Sequence, residues 1–348
     1  MNLFAIDLGN KQVKMKSEYA MKVFPSYMVP AEVYGDRNVL GFAKQNKTAS
    51  DFESKLDEGA VYVWGEDMKI DSPEYIVESI GFGLPRYKSN AFKLQAEFAL
   101  AELAKDYEDA KTSLLEVTLV TGVPTEDYNN SEIVKAIEVA FKGDHNVTVD
   151  GDVLNVRVSK VFLLPQSLGT IIDQVMDDKA KITQEHLMTG HVGVVDIGGG
   201  TVLIDSIKQM NLSDEKQAQL DAGAFTLYKS IVKEMYRKGH KASEFEVARI
   251  IREANDDKYS FSPNGVNKVD ITDIVMDERK AFTRKVSRFI ASTYKDMSRM
   301  QSILITGGAA NIIVFDQLKK DIEIAKLVEN SEVANVKGFY KYGLSTKG

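Results

Sequence analysis

Two segments in opposite halves of the chain, LFAIDLGNKQVKMK (Leu3 to Lys16) and VGVVDIGGGTVLID (Val192 to Asp205), share one arrangement: an apolar strand, Asp-x-Gly, a turn and a second strand. In each, the acid (Asp7 or Asp196) closes a run of apolar and β-branched residues, and the small residues after it let the chain reverse into a hairpin. Such a turn presents backbone amides. Gly198, Gly199 and Gly200 lack the Cβ that would hold an anion away, so their N–H groups suit phosphate oxygens. A carboxylate at the strand end suits Mg²⁺, a hard ion that keeps much of its water and is held by one or two carboxylates together with phosphates. Two half-clamps of this kind can close on one nucleotide. Better-known phosphate motifs do not account for the segments: no G-x-x-x-x-G-K-[ST] is present, and Leu203 stands where G-x-G-x-x-G needs its last glycine.

The surrounding elements follow from periodicity and turn chemistry. Tyr19 to Met28 reads as more strand, limited by Pro25 and Pro30. Asn90 to Tyr107 has an apolar helical face, and Leu114 to Val120 is a buried strand running into TGVPTEDY. Asn130 to Phe141 is expected as a helix that Ser131 helps to start, and a hairpin turns at Asp150-Gly151. A strand from Lys160 to Leu164 enters PQSLGTIIDQVM, where Pro165 opens a helix. After the second Asp-Gly hairpin, a glycine turn at Gly223 precedes a helix, another helix covers Glu244 to Ala254, and Asp277 to Ser298 is the longest. ILITGGAANIIVFDQL then gives a buried strand, a Gly307-Gly308 turn and a helix start, again suited to a nucleotide through amides at a helix N-terminus. ANVKGFYKYGLS reads as a final helix returning to the first domain.

A length of 348 residues suggests two domains with a cleft between them. With 44% hydrophobic and 27% charged residues and no apolar run long enough for a membrane span, the composition is that of a globular protein, and no membrane association is expected. A strand begins within three residues of the N-terminus, which leaves no room for a signal peptide, so a cytoplasmic location is expected. The absence of cysteine excludes disulfides and thiolate chemistry, and the four histidines form no metal spacing. A formal charge of −7 opposes direct binding to nucleic acid. The basic stretch Arg279 to Arg299 reads as a helix with a solvated charged face.

Taken in order, these segments resemble the five nucleotide-site motifs of the actin, heat-shock-chaperone and sugar-kinase superfamily. DLGNKQVK and DIGGGT are similar to its two phosphate motifs, LLPQSLGT and ANVKGFYKYG to its two connecting helices, and LITGGAA to its adenosine motif. Within the superfamily, the stretch from TGVPTEDYNN to LLPQS resembles the ParM-type actin-like ATPases that segregate plasmids. The resemblance implies an α/β, actin-like fold: two domains, each a mixed β-sheet flanked by helices, with a nucleotide cleft between them. It implies a first domain of residues 1–168 plus 335–348, with a small subdomain at about 31–90, and a second of 169–334, with a small subdomain at about 212–276. Carried over by position, Asp7 and Asp196 resemble the metal-associated carboxylates, binding Mg²⁺ through water. Gly9, Asn10 and Lys11 resemble the first phosphate turn, and Gly198, Gly199, Gly200 and Thr201 the second. Gly223 resembles a phosphate-proximal glycine, and Gly307, Gly308 and Ala309 the adenosine motif. Lys14 resembles the basic residue that follows the first turn, or is a hairpin lysine exposed to water. Lys11 stands where relatives often carry a small polar residue.

Gln166 stands where ParM-type sequences usually have a carboxylate, and resembles actin's choice there. An amide is no general base, but it can orient an attacking water. The implied function is a filament that assembles with Mg-ATP or Mg-GTP, hydrolyses the nucleotide, and contacts plasmid DNA only through a ParR-like centromere-binding adaptor. The alternative is a small-molecule kinase of the same superfamily, for which Asp127 is the available base.

Overall fold

A computed structural model describes residues 2–34, 48–66, 68, 73–213, 217–254, 256–263 and 265–346. Parts of both expected small subdomains, at 35–47, 67, 69–72, 214–216, 255 and 264, lie outside the described residues. The chain divides into two compact units, Met1–Thr183 with Asn335–Gly348, and Gln184–Ala334.

The first unit opens with β1 (Asn2–Leu8), β2 (Gln12–Lys16), β3 (Met21–Pro25), β4 (Tyr27–Pro30), β5 (Ala49–Ser54), β6 (Val61–Gly65) and β7 (Val77–Glu78). It continues through α1 (Gly83–Lys88), α2 (Asn90–Ala104), α3 (Asp109–Thr112), β8 (Leu115–Val123), α4 (Thr125–Tyr128) and α5 (Ser131–Phe141), and then β9 (Gly143–Val149), β10 (Asp152–Pro165) and α6 (Gln166–Val175). One mixed sheet runs in the order β3-β2-β1-β8-β10-β9-β5-β6-β4-β7. Its centre, β1-β8-β10, is parallel. β1 and β8 are buried at nearly every position because both of their faces are covered. Phe4 and Ile6 of β1 and Val117 and Leu119 of β8 join the core under α2, whose side chains are buried on nearly all sides. The alternate residues Leu3 and Val120 meet Gly343 of the C-terminal helix. The lone tryptophan, Trp64, is buried and donates its indole N–H to the Pro25 carbonyl at 2.8 Å.

Three local details refine the sequence expectations. The cap of α5 is Asn130, not Ser131: its side-chain oxygen accepts from the amides of Glu132 and Ile133, and an Asn carboxamide in extended backbone is a strong N-cap. The hairpin at Asp150-Gly151 has φ of 52° and 91° at the two turn residues, as a tight hairpin turn requires. The first unit also runs past the expected 168/169 division, because α6 is packed into it along its length.

The second unit contains α7 (Glu185–Thr189), β11 (His191–Ile197), β12 (Val202–Lys208), β13 (Asn211–Leu212), β14 (Ala218–Leu220), α8 (Ala224–Arg237) and α9 (Glu244–Glu253). β15 (Ser260–Phe261), β16 (Val269–Asp270), α10 (Thr272–Tyr294), β17 (Ser302–Thr306), α11 (Phe315–Asp321) and β18 (Ala325–Leu327) complete it. Its main sheet runs β13-β12-β11-β17-β18, with β14 also on β12. The core formed by Val195, Ile204, Leu227, Ile231, Val286 and Ile305 joins this sheet to α8 and α10. The repeat seen in the sequence is a repeat of topology. β1 pairs antiparallel with β2 and parallel with β8, and β11 pairs antiparallel with β12 and parallel with β17.

The C-terminal helix α12 (Ala334–Ser345) rejoins the first unit at Asn335. It crosses α6 at two glycines, where a Cβ on Gly338 would lie 1.8 Å from the Gly169 carbonyl oxygen. Thr170 donates to Asn335 at 2.7 Å, and the buried Lys341 ammonium donates to the Asp173 carboxylate at 2.6 Å and to the carbonyls of Asp173 and Met176. The crossing leaves no space for a methyl group. Gly338→Ala is therefore expected to lower stability by about 1–3 kcal/mol through overpacking, read as a lower urea midpoint with unchanged slope; a midpoint equal to that of the parent would show that the helices can separate freely.

Candidate functional site

In the first unit, Asp7 is the penultimate residue of β1, and its register partner on β2 is Lys14. Antiparallel pairing places the two side chains on one face, with the ammonium 3.5 Å from Asp7 Oδ2. The Lys14 side chain is only 12% exposed, so it is not a water-exposed hairpin lysine. Gln166, the first residue of α6, donates Nε2 to the other Asp7 oxygen at 3.0 Å. Three residues from two motifs thus meet at one buried carboxylate. Beside Gln166 lies a small pocket, with room for about one water, lined by Leu8, Arg86, Tyr87, Thr121 and Gly122 among others.

The first turn is closed by Gly9 N donating to the Gln12 carbonyl at 3.1 Å. Ser26 fastens it from outside, its hydroxyl donating to the Gly9 carbonyl and its amide to that of Lys11. Asn10 has a role not read from its motif: its side-chain oxygen accepts from the Gly81 amide at 3.1 Å. Arg86 makes a parallel link, donating to the Leu8 carbonyl at 2.6 Å and the Ser79 carbonyl at 2.7 Å while being 9% exposed. Asp127 accepts from the Tyr87 hydroxyl at 2.6 Å, and burial pushes the Tyr87 phenol pKa up and keeps it a neutral donor. A carboxylate committed in this way is poorly placed to act as a kinase base.

In the second unit three sequence-distant segments meet around the DIGGGT turn, whose Asp196 is again the penultimate residue of its strand. The DIGGGT turn is closed by Gly198 N donating to the Thr201 carbonyl at 2.8 Å. The Gly198 and Gly199 carbonyls accept from the Ala224 and Phe225 amides at the start of α8, at 3.1 and 2.9 Å. Gly223 makes that docking possible, since a Cβ there would lie 2.4 Å from the Gly198 oxygen. The amides of Gly199 and Gly200 make no backbone hydrogen bond among the described residues, and a Cβ on Gly200 would meet open space. They are the donors of this turn that remain for an anion. The third segment is the Gly307-Gly308-Ala309 turn, held by Ala309 N on the Ile197 carbonyl at 2.9 Å and by the Ser331 hydroxyl on the Gly307 carbonyl at 3.1 Å. Gly308 is exposed at its tip, whereas Ala309 is buried. Gly307 has φ of 99°, and a Cβ on it would lie 2.2 Å from Asp196 Oδ1.

Lys280, Arg284, Lys285 and Arg288 form the expected solvated face of α10, and Arg279 departs from it. It is 6% exposed, and its guanidinium donates to the Ile312 and Asn311 carbonyls at 2.9 and 3.2 Å and also to Asp257 and the Tyr259 hydroxyl. Burial and the hydrogen bond to Asp257 push the Tyr259 pKa up to about 12. The signal was present in the spacing: Val275, Arg279, Phe282 and Val286 fall on one helical face, and the other three are core residues. Arg279 ties α10 to the chain that follows the Gly307 turn.

No cluster of three His, Cys, Asp or Glu that could hold a metal occurs among the described residues. Neither Asp7 nor Asp196 belongs to such a cluster, which fits an ion held largely by water and phosphate. Gly307→Ala is expected to cost about 1–3 kcal/mol, since it combines a left-handed backbone with displacement of the Asp196 carboxylate. A thermal melt together with titration of a fluorescent nucleotide would show lowered stability and weakened binding in the same variant; an unchanged melt would mean the turn relaxes without strain.

Residues 5–169 match the family model described as the N-terminal domain of actin-like proteins, and residues 191–342 match that of the Alp7A C-terminal domain. No curated protein matches the sequence. Among solved structures, apo ParM of psk41 has a TM-score of 0.77 at 22% identity, over 99% of this chain and 98% of that one. Ta0583, an archaeal actin homologue, has a TM-score of 0.76 at 17% identity, over 99% of each chain. ParM in a 15-stranded filament from Clostridium botulinum has a TM-score of 0.72 at 20% identity, again over 99% of each chain. The two domain models follow one another in the order of the two units and together span most of the chain, which belongs to the actin-like proteins.

Proposed function

We propose that this chain is a filament-forming NTPase that binds Mg-ATP or Mg-GTP, polymerises in the nucleotide-bound state, and moves plasmid DNA in the cytoplasm through a ParR-like DNA-bound adaptor. The observation that carries the reading is the DIGGGT turn, docked by Gly223 on the start of α8 with Gly307 against Asp196, which leaves the Gly199 and Gly200 amides beside a strand-end carboxylate. The same carboxylate-and-turn design recurs at Asp7 in the first unit, which adds a second candidate phosphate turn. Ta0583 has been solved in complex with ADP, and ParM of Clostridium botulinum as a filament, so relatives of this fold support both nucleotide binding and self-assembly.

On this reading Gly199 and Gly200 supply amides to phosphate, Lys14 supplies a positive charge, and Asp7 and Asp196 hold Mg²⁺ through water. Mg²⁺ would neutralise phosphate charge when bound. Gln166 orients water: a carboxylate only accepts hydrogen bonds, so the amide presents its N–H to Asp7 and keeps its carbonyl oxygen to accept from water. Phosphoryl transfer depends mainly on such positioning and on charge stabilisation.

Right-angle light scattering with parallel phosphate release tests the reading. The unmodified chain should scatter on addition of Mg-ATP or Mg-GTP, with phosphate release trailing, and Asp196→Ala should lose both signals. Gln166→Ala should still assemble but release phosphate roughly 100-fold more slowly. Tight nucleotide binding without scattering at any micromolar concentration would overturn the filament reading, and an unchanged release rate in Gln166→Ala filaments would remove Gln166 from catalysis.

A further inference from the structure

Two exposed surfaces on different units carry matching aromatic character and opposite charge. In the first unit, the segment from Glu74 to Phe82 exposes Tyr75 (50%), Ile80 (46%) and Phe82 (58%), with the carboxylates of Glu74 and Glu78 beside them in sequence. In the second, Lys229, Lys233, Tyr236 and Arg237 lie at helical spacing on the exposed face of α8, and Lys241 and Phe245 follow at the start of α9. Tyr236 is 67% exposed and Phe245 70%. Large apolar side chains left this open mark an interaction surface; on the second, Lys229, Lys233 and Lys241 are exposed cations, whereas Arg237 is paired with Glu234 and Phe245 is flanked by Glu244 and Glu246.

We infer that these surfaces bind each other between successive copies of the chain, and that this contact is sensitive to nucleotide; the inference rests on the filament reading above. The occupant is a second copy because one chain carries both members of the complementary pair, and both stand exposed. Since the two patches differ, the contact is heterologous and repeats without closing, which generates a filament in preference to a dimer. In a chain of net charge −7 the basic face of α8 is the local counter-charge that self-association needs. Sensitivity to nucleotide follows from what holds the acidic segment in place. The Gly81 amide is bound by Asn10 of the first turn, and Arg86 joins the Ser79 carbonyl to that of Leu8, next to Asp7. A shift of the turn on binding phosphate is thus passed to Ile80 and Phe82.

The test uses charge reversal on exposed residues in the full chain, with sedimentation and a fluorescent nucleotide analogue as readouts. Lys229→Glu with Lys233→Glu, and separately Glu74→Lys with Glu78→Lys, should each raise the critical concentration for Mg-nucleotide assembly by roughly tenfold or more, while nucleotide affinity stays that of the unmodified chain. Combining all four should restore assembly, and an equimolar mixture of the two reversed chains should co-sediment. If the unmodified chain assembles and the reversed chains match it, or if the four-fold variant remains unassembled, the pairing is overturned and the filament reading stands. If the unmodified chain assembles with neither nucleotide, the filament reading falls and the pairing with it.

Discussion

The carbonyl oxygens of Gly198 and Gly199 lie where a Cβ on residue 223 would stand, and the carboxylate of Asp196 lies where a Cβ on residue 307 would stand. These two approaches bring β11, α8 and the end of β17 within backbone contact, and the hydrogen bonds from Ala224, Phe225 and Ala309 form only at that separation. Any side chain wedged there would leave those carbonyls without donors, and each buried unpaired group costs about 1–3 kcal/mol. The docking also decides which donors serve a ligand. Two amides at the start of α8 are spent on the turn, so an anion meets the amides of Gly199 and Gly200, while the helix dipole still acts from behind.

The two copies of the design are not equivalent. Register places Lys14 across from Asp7 but Leu203 across from Asp196. The first carboxylate therefore carries its own cation and a Gln166 donor, whereas the second is pressed against the Gly307 turn. A duplicated backbone has become two chemical environments, one facing a lysine and a glutamine side chain and one facing a glycine turn.

The strands, the hairpins and the glycine turns were legible in the sequence because each is written locally: a β-branched run, an Asp-Gly pair, a missing side chain. The assembly of Asp7, Lys14 and Gln166 was legible only by resemblance, since nothing in 159 residues of separation announces the hydrogen bond that joins Gln166 to Asp7. Asn10 and Ser26 in turns and Arg86 on the short helix α1 were missed as structural ties because a polar residue in such a segment reads as solvated until its backbone partners are known. Arg279 shows the same limit with a remedy. Its charge suggested a wet face, but its place among Val275, Phe282 and Val286 pointed inward, and period is the safer guide when the two conflict. The end of the first unit near Thr183, past the 168/169 division, was hidden because it depends on how closely Gly169 and Gly338 approach, a property of two helices and not of either one.

The amide at position 166 has a physical reason. A carboxylate there would stand near Asp7 at the 3.0 Å now spanned by the Gln166 hydrogen bond, with the Lys14 ammonium left to balance two negative charges. Like charges at that distance force one group to take a proton, and the protonated member would bind a hard cation less well. The amide avoids that competition by donating to Asp7, which stays available as an anion. The accompanying loss is of basicity: a carbonyl oxygen can align a water but cannot remove its proton. On the proposed hydrolytic reading, such a site favours slow turnover.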